Sequence, residues 1–252
     1  AVKTAVSANY SAGDRITYAL SLVNTGTAAV TDYTVTDNLG GYTVGANTVY
    51  PLAYNAGTVR YYINGVLQTA PTVTAGPPLS VTGLTVPAGG NAVLIYETTA
   101  TPVAPLATGS SITNTATITG GGLTNPITAQ ATVETANSAD LTISKALSPT
   151  TVTENGQITY TFVISNTGNT EATATGNVVV TDTFAPILRN IAVTYNGTAW
   201  TEGTNYTYNA ATGVFTTLAG QITVPAATFT QNTDGTFTVT PGTATLVITG
   251  TV

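Results

Sequence analysis

The stretch Ile16-Thr-Tyr-Ala-Leu-Ser-Leu-Val-Asn24-Thr-Gly26 returns 142 residues later as Ile158-Thr-Tyr-Thr-Phe-Val-Ile-Ser-Asn166-Thr-Gly168. In both copies every second residue is apolar: Ile16, Tyr18, Leu20 and Leu22 in the first, Ile158, Tyr160, Phe162 and Ile164 in the second. Side chains alternate sides along a strand, so each copy reads as a strand with one inward face. The Asn-Thr-Gly that follows is expected to end the strand in a tight turn, because Asn and Gly accept positive φ most readily. Val-Thr-Asp comes next in both, at Val35-Thr36-Asp37 and Val180-Thr181-Asp182. The order of motifs is that of a duplicated β-domain.

The repeat divides the 252 residues into two domains, expected at 1–136 and 137–252 with Thr135–Ala139 as a short polar linker. Each has enough chain to bury a core without disulfides or metals. Turn signals recur throughout, at Gly40-Gly41, Asn64-Gly65, Pro77-Pro78, Gly120–Gly122 and Asn196-Gly197, and no useful helical period appears. The fold class expected is all-β, two immunoglobulin-like antiparallel sandwiches in tandem. Four consecutive apolar residues, Ala92–Ile95, read as a strand covered on both faces. Val93-Leu-Ile95 matches Leu246-Val-Ile248, but no stretch of the second copy matches Ser111–Val133. The second sandwich is therefore expected to lack its last strands, leaving an edge closed either by those strands in a longer chain that continues past Val252 or by strand addition from a neighbouring copy.

Charged residues are 6% of the chain, against roughly 25% in ordinary globular domains, while Thr fills 58 positions. A surface of hydroxyls suits close packing against copies of itself, glycosylation, or harsh external conditions. Five basic residues and a net charge of −6 build no positive patch, so nucleic acid is an unfitting partner. No apolar run is long enough to span a membrane. The chain opens on Ala1-Val2 and has no Met, as expected of a processed product or a fragment. Without His or Cys there is no Ser-His-Asp triad, no Cys nucleophile and no soft metal site. The carboxylates Asp32, Asp37, Glu97 and Asp182 form no recognisable catalytic pair, and Asp32, Asp37 and Asn38 lack the spacing of a calcium loop. Neither an enzyme nor a cofactor is expected.

The two lysines carry more information. Lys3 and Lys145 are the only ones in the chain, and the same 142-residue offset superimposes them. One reading makes them edge lysines that discourage aggregation. The other follows from two resemblances. Lys145-Ala, Gly156-Gln-Ile-Thr-Tyr, Asn166-Thr-Gly, Val-Thr-Asp182 and, in the first copy, Asn114-Thr-Ala-Thr-Ile together resemble the conserved tandem repeat of bacterial and archaeal surface proteins called domain of unknown function eleven. That resemblance implies extracellular, immunoglobulin-like modules in stalks, adhesins and wall-attached proteins. The layout is also similar to Gram-positive pilin domains in which a first-strand Lys condenses with an Asn on a late strand beside a buried acid. Carried onto the first copy, this implies an isopeptide bond with Lys3 as nucleophile, Asn114 as acyl partner and Asp37 as acid. Lys145 and Asp182 are present in the second copy without an intrachain Asn partner.

Sequons at Asn9, Asn196 and Asn205 mark glycosylation candidates. The aromatics Tyr195, Trp200, Tyr206, Tyr208 and Phe215 read as core before they read as a sugar-stacking platform. The function expected is a structural subunit of an extracellular filament, pilus-like fibre or surface coat, with copies of itself as partner and cell wall or surface glycan as a further one. The alternative is a stalk or adhesin module that presents loops to sugar or protein ligands.

Overall fold

The computed structural model describes Ala1–Val252 and contains no helix beyond one 3-10 turn at Ala174–Gly176, so no helix is long and apolar enough to cross a membrane. The chain separates into two compact units, one of Ala1–Ala136 with Thr230–Thr238, the other of Asn137–Phe229 with Val239–Val252.

In the first unit one sheet runs Val2–Ala5, Arg15–Val23, Asn91–Ala100, Arg60–Ile63, Val66–Leu67, with Leu52–Tyr54 also on Asn91–Ala100. The other runs Thr72–Thr74, Leu79–Val86, Val30–Asp37, Ser111–Gly120, Ile127–Thr135, Asn9–Tyr10. Every pairing is antiparallel except the last, where Asn9–Tyr10 lies parallel to Ile127–Thr135. The alternation read from the sequence is what joins the sheets. Ile16, Tyr18 and Leu20 from one and Tyr33, Val35 and Ile118 from the other meet in a single buried core. Ala92 and Leu94 point into it, whereas Val93 and Ile95 are only half-buried on the outer face. The run of four apolar residues is thus an ordinary alternating strand at the centre of its sheet, not one covered on both sides.

The Asn-Thr-Gly signature holds each unit by a different device from the one expected. Neither Asn24, Gly26, Asn166 nor Gly168 has positive φ. Instead the Asn side chain clamps the loop. Asn166 Oδ1 accepts the N–H of Gly168 at 2.9 Å and of Asp140 at 3.0 Å, while Nδ2 donates to the carbonyls of Thr170 and Pro225 at 2.8 and 3.0 Å. Asn24 repeats the pattern with Gly26, Ala28 and Pro87. Gly168 is required for close approach: a Cβ there would lie 2.2 Å from the Ser138 carbonyl oxygen. The hairpin turns at Asn64-Gly65 and Asn196-Gly197 do use positive φ at both residues, the geometry that matches strand twist.

The second unit repeats the first sheet as Leu141–Ser148, Gln157–Asn166, Gly242–Thr251, Arg189–Tyr195, Thr198–Trp200. Its other sheet has only Thr181–Thr183, Val214–Thr217 and Tyr206–Asn209. Register shows what is missing. Asp182 faces Phe215 as Asp37 faces Leu79, so one edge of the Asp182 strand is filled as in the first unit. The opposite edge of the Asp37 strand carries Ser111–Gly120, with Ala116 opposite Asp37. No strand lies along that edge of the Asp182 strand.

Candidate functional site

Lys3 sits opposite Leu20 at the margin of the first sheet, and the strand's alternation turns its side chain inward. It passes over the ring of Tyr18, whose centroid is 4.8 Å from Nζ, and ends 2.5 Å from Asp37 Oδ2 on the facing sheet. The side chains of Lys3 and Asp37 are 0% and 1% exposed. An edge charge held in water to deter aggregation is therefore not what Lys3 is. Asp37 is held by everything around it: Oδ2 also accepts a hydrogen bond from the Tyr96 hydroxyl, and Oδ1 accepts the Leu39 N–H at 3.0 Å.

Asn114 completes the group. It lies on the strand beside Asp37, two residues before Ala116, so pleating puts both side chains on the same inward face. It is fully buried, and neither Oδ1 nor Nδ2 has a hydrogen-bond partner. A buried carboxamide without partners costs about 1–3 kcal/mol relative to a satisfied one. Asn114 is near enough to Tyr18 and Tyr96 to favour their ionised forms slightly, although none of these approaches closes as a hydrogen bond.

Burial disfavours the charged forms of Lys3, Tyr18 and Tyr96. Burial pulls the Lys3 amine down to about 8, against the opposing charge and hydrogen bond of Asp37. Burial pushes the Tyr96 hydroxyl well above its usual range, and the neighbouring Asp37 charge pushes it further; Tyr18 moves the same way for the same two reasons. Both phenols therefore remain protonated. Burial weakens the hold of the Lys3 amine on its proton, and Asp37 Oδ2 at 2.5 Å is placed to accept it. An unprotonated amine is a nucleophile, and the Asp37 carboxylate that can take its proton lies on the strand next to the Asn114 carboxamide.

In the second unit Lys145 Nζ reaches Asp182 Oδ2 at the same 2.5 Å and lies 4.6 Å from the Tyr160 ring centroid, as Lys3 lies over Tyr18. Here the side chains are 39% and 18% exposed. The register moves the expected match of Val93-Leu-Ile95 with Leu246-Val-Ile248 by one residue: Leu246 stands where Leu94 does and Ile248, opposite Tyr160, where Tyr96 does, so no phenol donates to Asp182 from that strand. Tyr96 and Tyr18 were not singled out as site residues from the sequence. The available signal was a Tyr ending the aliphatic run Ala92–Ile95 and paired across strands with the repeated Ile-Thr-Tyr.

Other sequence-derived positions fall elsewhere. Asn38 spends Oδ1 on the N–H groups of Gly40 and Thr115, a structural clamp, while Asp32 is exposed. Tyr195, Tyr206 and Phe215 are buried in the second core, with Trp200 and Tyr208 packed against it. Asn9 and Asn196 are exposed. Asn205 is half-buried, with Nδ2 donating to Gln221 Oε1 at 2.7 Å, so a glycan there would have to break that bond.

No family model matches the chain, and no curated protein matches it. Solved structures do. The N-terminal domain of the Streptococcus gordonii adhesin Sgo0707 aligns at 14% identity over 52% of this chain and 32% of that one, with a TM-score of 0.39. BcpA, the major pilin subunit of Bacillus cereus, aligns at 13% identity over 97% of this chain and 65% of that one, TM-score 0.38. The group B streptococcus pilus 2b backbone protein aligns at 17% over 87% and 79%, TM-score 0.39. The chain thus spans about a third of the adhesin domain and under two thirds of BcpA. Likeness of this degree carries no functional argument.

Proposed function

We propose that this chain is a structural module of an extracellular surface assembly, a filament or coat subunit whose first sandwich is locked by an amide between Lys3 and Asn114. The observation that carries the reading is the fully buried Lys3–Asp37 pair and, on the strand next to Asp37 and the same inward face, a carboxamide with no hydrogen-bond partner. Neutral Lys3 Nζ attacks Asn114 Cγ, and the new N–C bond forms as the Cγ–Nδ2 bond breaks. Asp37 takes the amine proton and returns it to the departing nitrogen, which leaves as ammonia. The reaction needs no oxidant or cofactor. It removes the buried charge and the unpaired amide nitrogen together, and it ties the first strand of one sheet to an inner strand of the other. The low charge and threonine-rich surface fit an exposed, closely packed location.

Intact-mass measurement of the full chain tests it. The expected mass is one ammonia below that of the sequence, with a branched Lys3–Asn114 peptide after digestion, and Lys3→Arg restores the full mass. A wild-type chain at full sequence mass, with Lys3 open to amine reagents after unfolding, overturns the proposal.

A further inference from the structure

Closure of a Lys3–Asn114 amide requires a proton to cross from Asp37 to the departing nitrogen, and no direct contact carries it. Asp37 meets Lys3 through Oδ2, while its Oδ1 accepts the Leu39 N–H at 3.0 Å. Asn114 Nδ2, which must take the proton up, has no hydrogen-bond partner, so no bond joins it to Asp37. Bulk water is shut out, since Lys3, Asp37, Tyr96 and Asn114 are all buried. One group borders both ends of the gap. Tyr96 stands opposite Tyr18 on the central strand of the first sheet, and the alternation of that strand turns it inward. Its hydroxyl reaches the facing sheet and donates to Asp37 Oδ2, the same oxygen that Lys3 contacts. The ring is stacked on that of Tyr18, with centroids 5.8 Å apart, which fixes where the hydroxyl points. Asn114 is close enough to favour the ionised form of this phenol, an effect of amide N–H groups and not of an amide oxygen, so the nitrogen end of the carboxamide faces the hydroxyl.

We infer that the Tyr96 hydroxyl is the proton carrier between Asp37 and the leaving nitrogen of Asn114. The inference rests on the amide proposed for the first unit and assigns the path by which its proton travels. At rest the phenol donates to the Asp37 carboxylate. When neutral Lys3 Nζ attacks Asn114 Cγ, the proton it sheds passes to Asp37 Oδ2, and that oxygen turns from acceptor into donor. The hydrogen bond with Tyr96 then reverses, which frees the phenol proton for Asn114 Nδ2. As the Cγ–Nδ2 bond breaks, the phenol proton goes to nitrogen and the proton on Asp37 replaces it. Ammonia leaves, Asp37 is again a carboxylate and Tyr96 again a phenol, so protons balance and neither group is consumed. Burial and the Asp37 charge both hold the phenol in its protonated form until it is needed. The Tyr18 hydroxyl also lies near Asn114, but it has no bond to Asp37 and so stands outside the path. A proton delivered by a positioned side chain is worth about 10²–10⁴ in rate.

The test follows closure in time. Full chains collected unfolded in urea, at full sequence mass, are diluted into neutral buffer to fold, and ammonia loss is read from the intact mass of acid-quenched samples. Tyr96→Phe should slow the loss about 10²-fold or more. The same substitution placed in Asn114→Ala, which cannot close, should still unfold cooperatively in urea, so that slow closure is not a failure to fold. A chain carrying 3-fluorotyrosine in place of Tyr96 keeps the ring and the hydroxyl but makes the phenol a stronger acid. Its closure should be faster than the parent's, a change that a hydroxyl with a purely structural role does not produce. If Tyr96→Phe does not fold, the fluorinated chain decides alone. Closure of Tyr96→Phe at the parent rate, or a fluorinated chain no faster than the parent, overturns the inference and leaves the amide standing. A parent that folds and keeps its full mass refutes the amide itself, and the relay falls with it.

Discussion

Replacing Asn114 by Ala separates the locked and unlocked forms of the first sandwich by the sign of the change. In the locked form the amide closes a loop of roughly a hundred residues, for which chain-entropy arguments give about 4.7 kcal/mol of stabilisation through the unfolded state. Losing that should lower the first unit's melting temperature by about 10–20 °C, given about 2–4 °C per kcal/mol for a domain of this size. In an unlocked form the same substitution deletes a carboxamide that is dry and unpaired, a relief of about 1–3 kcal/mol, offset in part by a small cavity. The variant would then equal or exceed the parent. Calorimetry and urea titration of both proteins, with intact masses taken on the same samples, read the difference. An Asn114→Ala chain as stable as the parent, with the parent at full mass, refutes the reasoning.

Asp37→Ala should prevent closure and leave Lys3 buried without its counter-ion, so the chain should keep its full mass and lose about 3–5 kcal/mol in urea unfolding. In Asn114→Ala, Lys3 stays free. Its amine is held near 8 when folded against 10.5 when unfolded, so the unfolded state binds more protons in between and stability should rise with pH across that window. Below 8 the full cost of the buried charge applies. The locked parent should be flat in the same urea series, read below pH 10, where the buried tyrosines with raised pKa begin to act in the opposite direction. Gly168→Ala should destabilise the second unit by more than the about 1 kcal/mol typical of point substitutions, because the new methyl group would overlap the Ser138 carbonyl; thermal unfolding checks it.

What the sequence revealed and concealed divides along one physical line. Period-two alternation, the Asn-Gly hairpins and the gap-free superposition of Lys3 on Lys145 are local or translational signals, and they led directly to the sheets, the duplication and the unmatched Ser111–Val133. Contacts across the sandwich depend on register and on facing strands. That Tyr96 would donate to Asp37 needed the pairing of Tyr18 with Tyr96 and the distance between sheets, neither of which is written in spacing. The Asn-Thr-Gly motif was misread for a related reason. Turn preference reflects both backbone freedom and side-chain capacity for hydrogen bonds, and the sequence does not say which is used. At Asn24 and Asn166 it is the side chain. Ala92–Ile95 misled because a hydrophobic outer residue costs little on a half-buried sheet face, so composition alone could not show that Val93 and Ile95 look outward.

The position of Lys3 and Asn114 in the chain has a mechanical consequence. With the amide closed, tension entering near Ala1 passes through Lys3 to Asn114 and on toward Ala136, bypassing everything between. Each residue in that bypassed segment would otherwise yield about 3.5 Å of slack when pulled straight. Only the stretch from Asn114 to Ala136 would remain in line with the pull and free to lengthen, and the strands between Lys3 and Asn114 would bear none of the load.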